Sequence, residues 1–221
     1  MTHRKRGQMS ESVAMGLLLA LTGGFLDAYT YVARGRVFAN AQTGNIVLLG
    51  MNLADRNFSA ALSYLIPIVA FVAGVAMAEV IRHHNRWEAL HWRQITVLFE
   101  IVTLTVCAFL PPTHNWLVTS LVSFVCALQA ESFRTIAGST LATTMCTGNL
   151  RTATELLSLG LLRRDRAECR RSRIYYLVIL AFLAGAVLGD ALTRRFDALA
   201  SLFCAGFLLL GFFIMFFKEE R

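Results

Sequence analysis

Charge is what this 221-residue sequence has least of. Asp, Glu, Lys and Arg together make up 16% of it, against about 25% in an ordinary soluble domain. Proline is scarce as well, at three residues. The five cysteines form no CxxC pair, so neither a zinc ribbon nor a disulfide framework is implied. The apolar stretches contain no HExxH, GxSxG or Ser/His/Asp arrangement, which argues against an enzyme. The net charge of +7 comes without any RNP, zinc-finger or helix-turn-helix pattern, so it does not signal nucleic-acid binding. No cofactor and no metal is expected.

Apolar residues take the place of the missing charge. They make up 56% of the chain, at a mean hydropathy of +0.57. They sit in long blocks, as a membrane protein requires when each spanning helix needs about 20 apolar residues. Six stretches have that length: 12–32, 60–81, 94–110, 116–133, 174–192 and 199–217. Pro111 and Pro112 end the third, because proline removes a donor and biases the residue before it away from helix. Two further segments, 38–53 and 136–162, are rich in small and hydroxyl residues, and each carries Thr-Gly-Asn.

The basic residues arbitrate topology. If both Thr-Gly-Asn segments return to the side they entered from, one side receives three groups. These are the N-terminal Arg4, Lys5 and Arg6, the loop with Arg82, Arg86 and Arg93, and Arg134 with the run from Arg163 to Arg173. Lys218 and Arg221 join them, and only Arg34, Arg36, Arg56, Arg194 and Arg195 face the other side. Such an excess marks the cytoplasmic face. The expectation is a bacterial inner-membrane protein with both termini in the cytoplasm.

The two halves resemble each other. Thr43–Asn45 and Thr147–Asn149 are 104 positions apart, and in the same register Asp27 corresponds to Glu131. Farther on, Tyr64, Phe71, Ala73, Gly74 and Glu79 correspond to Tyr175, Phe182, Ala184, Gly185 and Asp190. A unit with an odd number of spans places its second copy upside down, as in transporters whose broken helices meet near the bilayer midplane. The expected fold is all-α: a polytopic membrane helix bundle of six spans plus two re-entrant half-helix elements, with an inverted internal repeat. It forms a single integral membrane domain over 1–221, with halves 12–111 and 115–217.

The run Gly23-Gly24-Phe25-Leu26-Asp27-Ala28-Tyr29-Thr30-Tyr31, followed by Phe38-Ala39-Asn40-Ala41-Gln42-Thr43-Gly44-Asn45, resembles the YoaK-like family of bacterial multi-pass membrane proteins. The second Thr-Gly-Asn and the overall length agree with that family. The resemblance implies an integral membrane protein and carries over no activity and no site residue.

Physical reasoning therefore has to supply the candidate site. A helix starting at a Thr-Gly-Asn segment presents the positive end of its dipole, which suits an anion or an acceptor-rich molecule. The candidate substrate-binding residues are Gln42, Thr43, Gly44, Asn45, Thr147, Gly148 and Asn149. Their other role is to cap and hold the half-helices. Asp27 and Glu131 are costly within a span, and are read either as proton-coupling groups or as lip residues that cap backbone. The Arg163, Arg164, Arg166, Arg170, Arg171 and Arg173 cluster reads as a topology signal that can also bind anionic lipid. The functional expectation is a transporter or channel for a small solute, an anion or a proton-coupled substrate among the options. The alternative is a non-transporting scaffold or regulatory protein that presents its basic loop.

Overall fold

A computed structural model describes residues 12–84, 89–136 and 139–215. The α-helices among the described residues are α1 (Val13–Ala33), α2 (Gln42–Ala54), α3 (Phe58–His84), α4 (Ala89–Phe109), α5 (Asn115–Ser132), α6 (Cys146–Leu162), α7 (Arg166–Phe196) and α8 (Ser201–Ile214). Short 3₁₀ turns at Pro112–His114 and Asp197–Ala200 lead into α5 and α8. One departure from an all-α chain is a small antiparallel hairpin, β1 (Thr135–Ile136) with β2 (Ser139–Thr140), ahead of α6. Arg4, Lys5, Arg6, Arg86, Lys218 and Arg221, which carry part of the orientation argument, lie outside the described residues.

Four stretches are long and apolar enough to cross a membrane: Val13–Ala33, Phe58–His83, Trp92–Phe109 and Arg166–Ile214, the last containing both α7 and α8. The surface agrees with that medium. Leu62, Val69 and Val72 on α3 and Leu98, Val102 and Val106 on α4 are exposed, while Asp27, Asn45, Glu100, Gln129 and Asn149 are buried. A soluble protein would hide the first group and expose the second.

The helices of the two Thr-Gly-Asn segments are short. With 13 residues, α2 is about 20 Å long, and with 17 residues α6 is about 26 Å. Both fall short of a ~30 Å hydrocarbon core. Each is preceded by non-helical chain, which in the second half includes the hairpin. Ile136 of that hairpin is fully buried against α1, where it fills the space a side chain on Gly16 would need.

Expected and observed bounds differ most at α7. Its apolar part begins at residue 174, but the helix starts at Arg166 and absorbs most of the expected basic loop. Asp165 caps it, accepting a hydrogen bond from the Ala167 N–H at 2.8 Å, and Glu168 sits in its first turn. Both place negative charge at a helix N-terminus, where it is stabilising.

Packing crosses between the halves. The long helix α1 lies on α7, and α5 lies on α3; α2 packs on α3 and α6 on α7, while α4 meets α8. The α1–α7 crossing is backbone on backbone. A Cβ on Gly24 would overlap the Phe182 carbonyl, and one on Gly185 would overlap the Leu21 carbonyl. On the other pair, a Cβ on Gly74 would come within 2.6 Å of the Phe124 carbonyl oxygen. Small residues at these points let the helices approach closely.

Candidate functional site

The Thr-Gly-Asn segments are built alike. Asn45 is fully buried in the first turns of α2, and its Nδ2 donates to the Phe38 carbonyl at 2.8 Å, seven residues back. Asn149 occupies the same place in α6, and its Nδ2 donates to the Ala142 carbonyl at 2.6 Å, again seven residues back. Asn45 also accepts the Phe38 N–H at 3.0 Å and bonds the Gln42 side chain at 2.9 Å. These asparagines fold the preceding loop back onto the helix start. The N-cap positions are Ala41 and Met145, neither of which makes a side-chain cap. The threonines therefore do not serve as N-caps, because both helices begin earlier than the triplet.

Asp27 finishes the first of these loops. Its Oδ1 accepts the Asn40 N–H at 2.6 Å. Asn40 in turn donates from Nδ2 to the Gly23 carbonyl at 3.2 Å, tying the loop to α1.

A cavity of about 690 Å³ lies where the two helix starts meet. Gln42 and Thr43 line it from α2, and Cys146, Thr147 and Gly148 from α6. Asp27 and Tyr31 line it from α1, Phe71 from α3, and Phe182 and Asp190 from α7. Asn40 and Thr144 complete its polar wall. Of the sequence candidates, Gln42, Thr43, Thr147, Gly148 and Asp27 thus come together around one space. Gly44, Asn45 and Asn149 do not line it; the asparagines are spent on the loops, and the Phe38 ring packs close over Gly44.

Glu131 stands elsewhere. It lines a second cavity, of about 320 Å³, with Glu79, Arg82, Arg93 and Arg134. Arg134 pairs with Glu131 on α5 and lies 3.5 Å from Glu79 on α3, which also pairs with Arg82 at 2.5 Å. In the sequence correspondence, Glu131 matches Asp27 and Glu79 matches Asp190. The two cavities therefore hold corresponding acids. In one they are bridged by an arginine. In the other, Asp27 pairs with no cation among the described residues, and Asp190 pairs with Arg194 on its own helix at 2.8 Å.

Comparison with known proteins gives the family. The profile of DUF1275, a protein family of unknown function, matches residues 15–215. The chain belongs to the DUF1275 family. A relative, the UPF0700 transmembrane protein YoaK of Bacillus subtilis (strain 168), is 24% identical over 180 residues, covering 77% of this chain and 79% of that protein. No solved structure matches.

Two polar residues of this DUF1275 chain went unrecognised as structural elements in the sequence. Arg34, counted there only as an external charge, is 1% exposed. It donates to the Cys107 carbonyl at 2.7 Å, the Leu110 carbonyl at 2.9 Å and the Tyr29 hydroxyl at 2.8 Å. It thereby bonds carbonyls at the end of α4, where intrahelical donors run out; the Cys107 carbonyl has besides it just a 3.4 Å bond from the Leu110 N–H. Glu100 is fully buried on α4; its Oε2 accepts from Gln129 Nε2 at 2.7 Å, while Oε1 has no partner among the described residues. Among those residues no cluster of His, Cys, Asp or Glu has the form of a metal site.

Proposed function

We propose that this protein moves a small solute across the membrane, as a transporter or channel, with its binding site in the cavity between the starts of α2 and α6. One observation carries the reading: the two short helices begin at the same cavity, and each is pinned by an asparagine reaching seven residues back. Membranes tolerate non-helical backbone only where it is buried in protein or lines a cavity.

An inverted repeat with six spans and two re-entrant elements fits the packing. In such a repeat, α1 with α7 and α5 with α3 are equivalent pairs, and α2 on α3 is equivalent to α6 on α7. The Gly74–Phe124 and Gly185–Leu21 approaches then correspond to within one residue. In this reading the Asp27 cavity is the open vestibule, and the Arg134 bridge closes the cytoplasmic side. Asp27 and Glu131 are the proton-coupling candidates, one at each gate. The exposed arginines from Arg163 to Arg173 face the cytoplasm and meet anionic lipid headgroups.

Uptake into proteoliposomes of a panel of small charged and polar solutes tests this. Thr147→Trp, which fills the cavity from an exposed position, is expected to abolish uptake while the protein stays monodisperse. Unchanged uptake of every transported solute would remove the cavity from the pathway.

A further inference from the structure

We infer that the cavity between α2 and α6 takes an organic ammonium ion, a protonated amine on an apolar body, and not the anion that helix N-termini favour in general. The inference rests on the solute-site reading above and names the chemical class of that solute.

The anion preference of α2 is already met from within the chain. Asp27 holds its carboxylate against the backbone N–H of Asn40 at 2.6 Å, directly ahead of the helix. A second anion there would meet a carboxylate in place of free donors. Asp27 is 6% exposed and lines the cavity, and no cation pairs with it among the described residues. The cavity wall contains two carboxylates, Asp27 and Asp190, and no lysine, arginine or histidine. Asp190 shares its charge with Arg194, so Asp27 is the carboxylate left without a cation.

The remaining walls suit the body of such a molecule. Tyr31, Phe38, Phe71 and Phe182 present aromatic rings, whose faces attract cations, more strongly where water is displaced. The Tyr31 and Phe38 rings are stacked at 4.9 Å, which fixes that wall. The volume of about 690 Å³ lies within the range of about 300–1,000 Å³ usual for small-molecule sites. The first N–H groups of α6 lack intrahelical acceptors, and no side chain caps them. They give the same solute a place for a hydroxyl or carbonyl group.

The test uses the full-length protein in lipid nanodiscs and three ligands with the same aromatic body: phenylethylammonium, phenylacetate and phenylethanol. Equilibrium dialysis is expected to show phenylethylammonium binding at least about tenfold more tightly than either of the others, the ordinary worth of one charge-assisted contact. Asp27→Asn keeps an acceptor for the Asn40 N–H, so it is expected to fold and to lose about tenfold in affinity for the ammonium ligand. Should that variant aggregate, Phe182→Leu is the second probe, expected to weaken the ammonium ligand more than phenylethanol. No phenylethylammonium binding, phenylacetate binding as tightly, or a folded Asp27→Asn protein with wild-type affinity would each overturn the inference. Ammonium binding without flux would retain the inference and remove transport. Anion flux without ammonium binding would retain transport and remove the inference.

Discussion

Asn149 is the residue from which most can be learned cheaply. Its amide, 4% exposed, donates at 2.6 Å to the Ala142 carbonyl, which also takes a long 3.4 Å bond from the Met145 N–H. Asn149→Ala is expected to cost about 1 kcal/mol by leaving the Ala142 carbonyl with just its long bond from the Met145 N–H. Asn149→Asp, which fits the space but cannot donate, is expected to cost as much. Thermal unfolding of purified protein measures both, and an aspartate variant as stable as wild type would show that the donor is unimportant. Glu100 makes the opposite case. A carboxyl at 0% exposure with one oxygen unpartnered is expensive to keep. Glu100→Gln is therefore expected to leave the melting temperature unchanged or raise it, and a clear fall would mean that the carboxyl itself is needed.

Arg34 governs how α1 and α4 are joined. Replacing it with methionine keeps much of the packing but leaves the Leu110 carbonyl without this donor and the Cys107 carbonyl with just its 3.4 Å bond from the Leu110 N–H, at about 1–3 kcal/mol in all. The expected result is a lower melting temperature with cavity ligands still bound. Glycines offer a contrast between elements. Gly206 on α8 has nothing within 4 Å of a built Cβ, whereas Gly185 would strike the Leu21 carbonyl. Gly206→Ala is expected to stabilise by about 0.5–1 kcal/mol through helix propensity, and Gly185→Ala to destabilise; melting curves of the two variants decide.

Element positions were legible in the sequence because hydropathy marks what lies in lipid. It could not mark α7's first turns, where arginines continue a helix beyond the membrane. The signal for that start was Asp165 followed by Glu168, a capping pattern in place of an apolar one. The site was legible only in part. Shared register marked Thr43, Thr147 and Asp27, but it made the asparagines look like ligands when their work is in the loops. Phe71, Phe182 and Asp190 were visible as repeated positions, and their meeting around one space depends on tertiary packing that no local pattern encodes.

At the scale of the whole molecule, the two acid-lined cavities differ in their arginines: three line the smaller one, and Arg134 is the one that bridges its two acids. Arg134→Ala removes the link between α3 and α5 at Glu79 and Glu131. It is expected to admit a membrane-impermeant maleimide to a cysteine placed at Ser132, on the wall of the smaller cavity. Equal labelling with and without Arg134 would mean that the bridge closes nothing.

The crosswise pairing also bears on ancestry. A polypeptide ending at Pro111 would carry α1 without α7 and α3 without α5, so each long helix would present its glycine-lined groove to nothing of its own. Such a fragment could close those grooves on a second molecule beside it. If the inverted repeat proposed above holds and the present gene arose by fusion of two copies, its ancestor was an antiparallel dimer, and fusion made that partnership permanent.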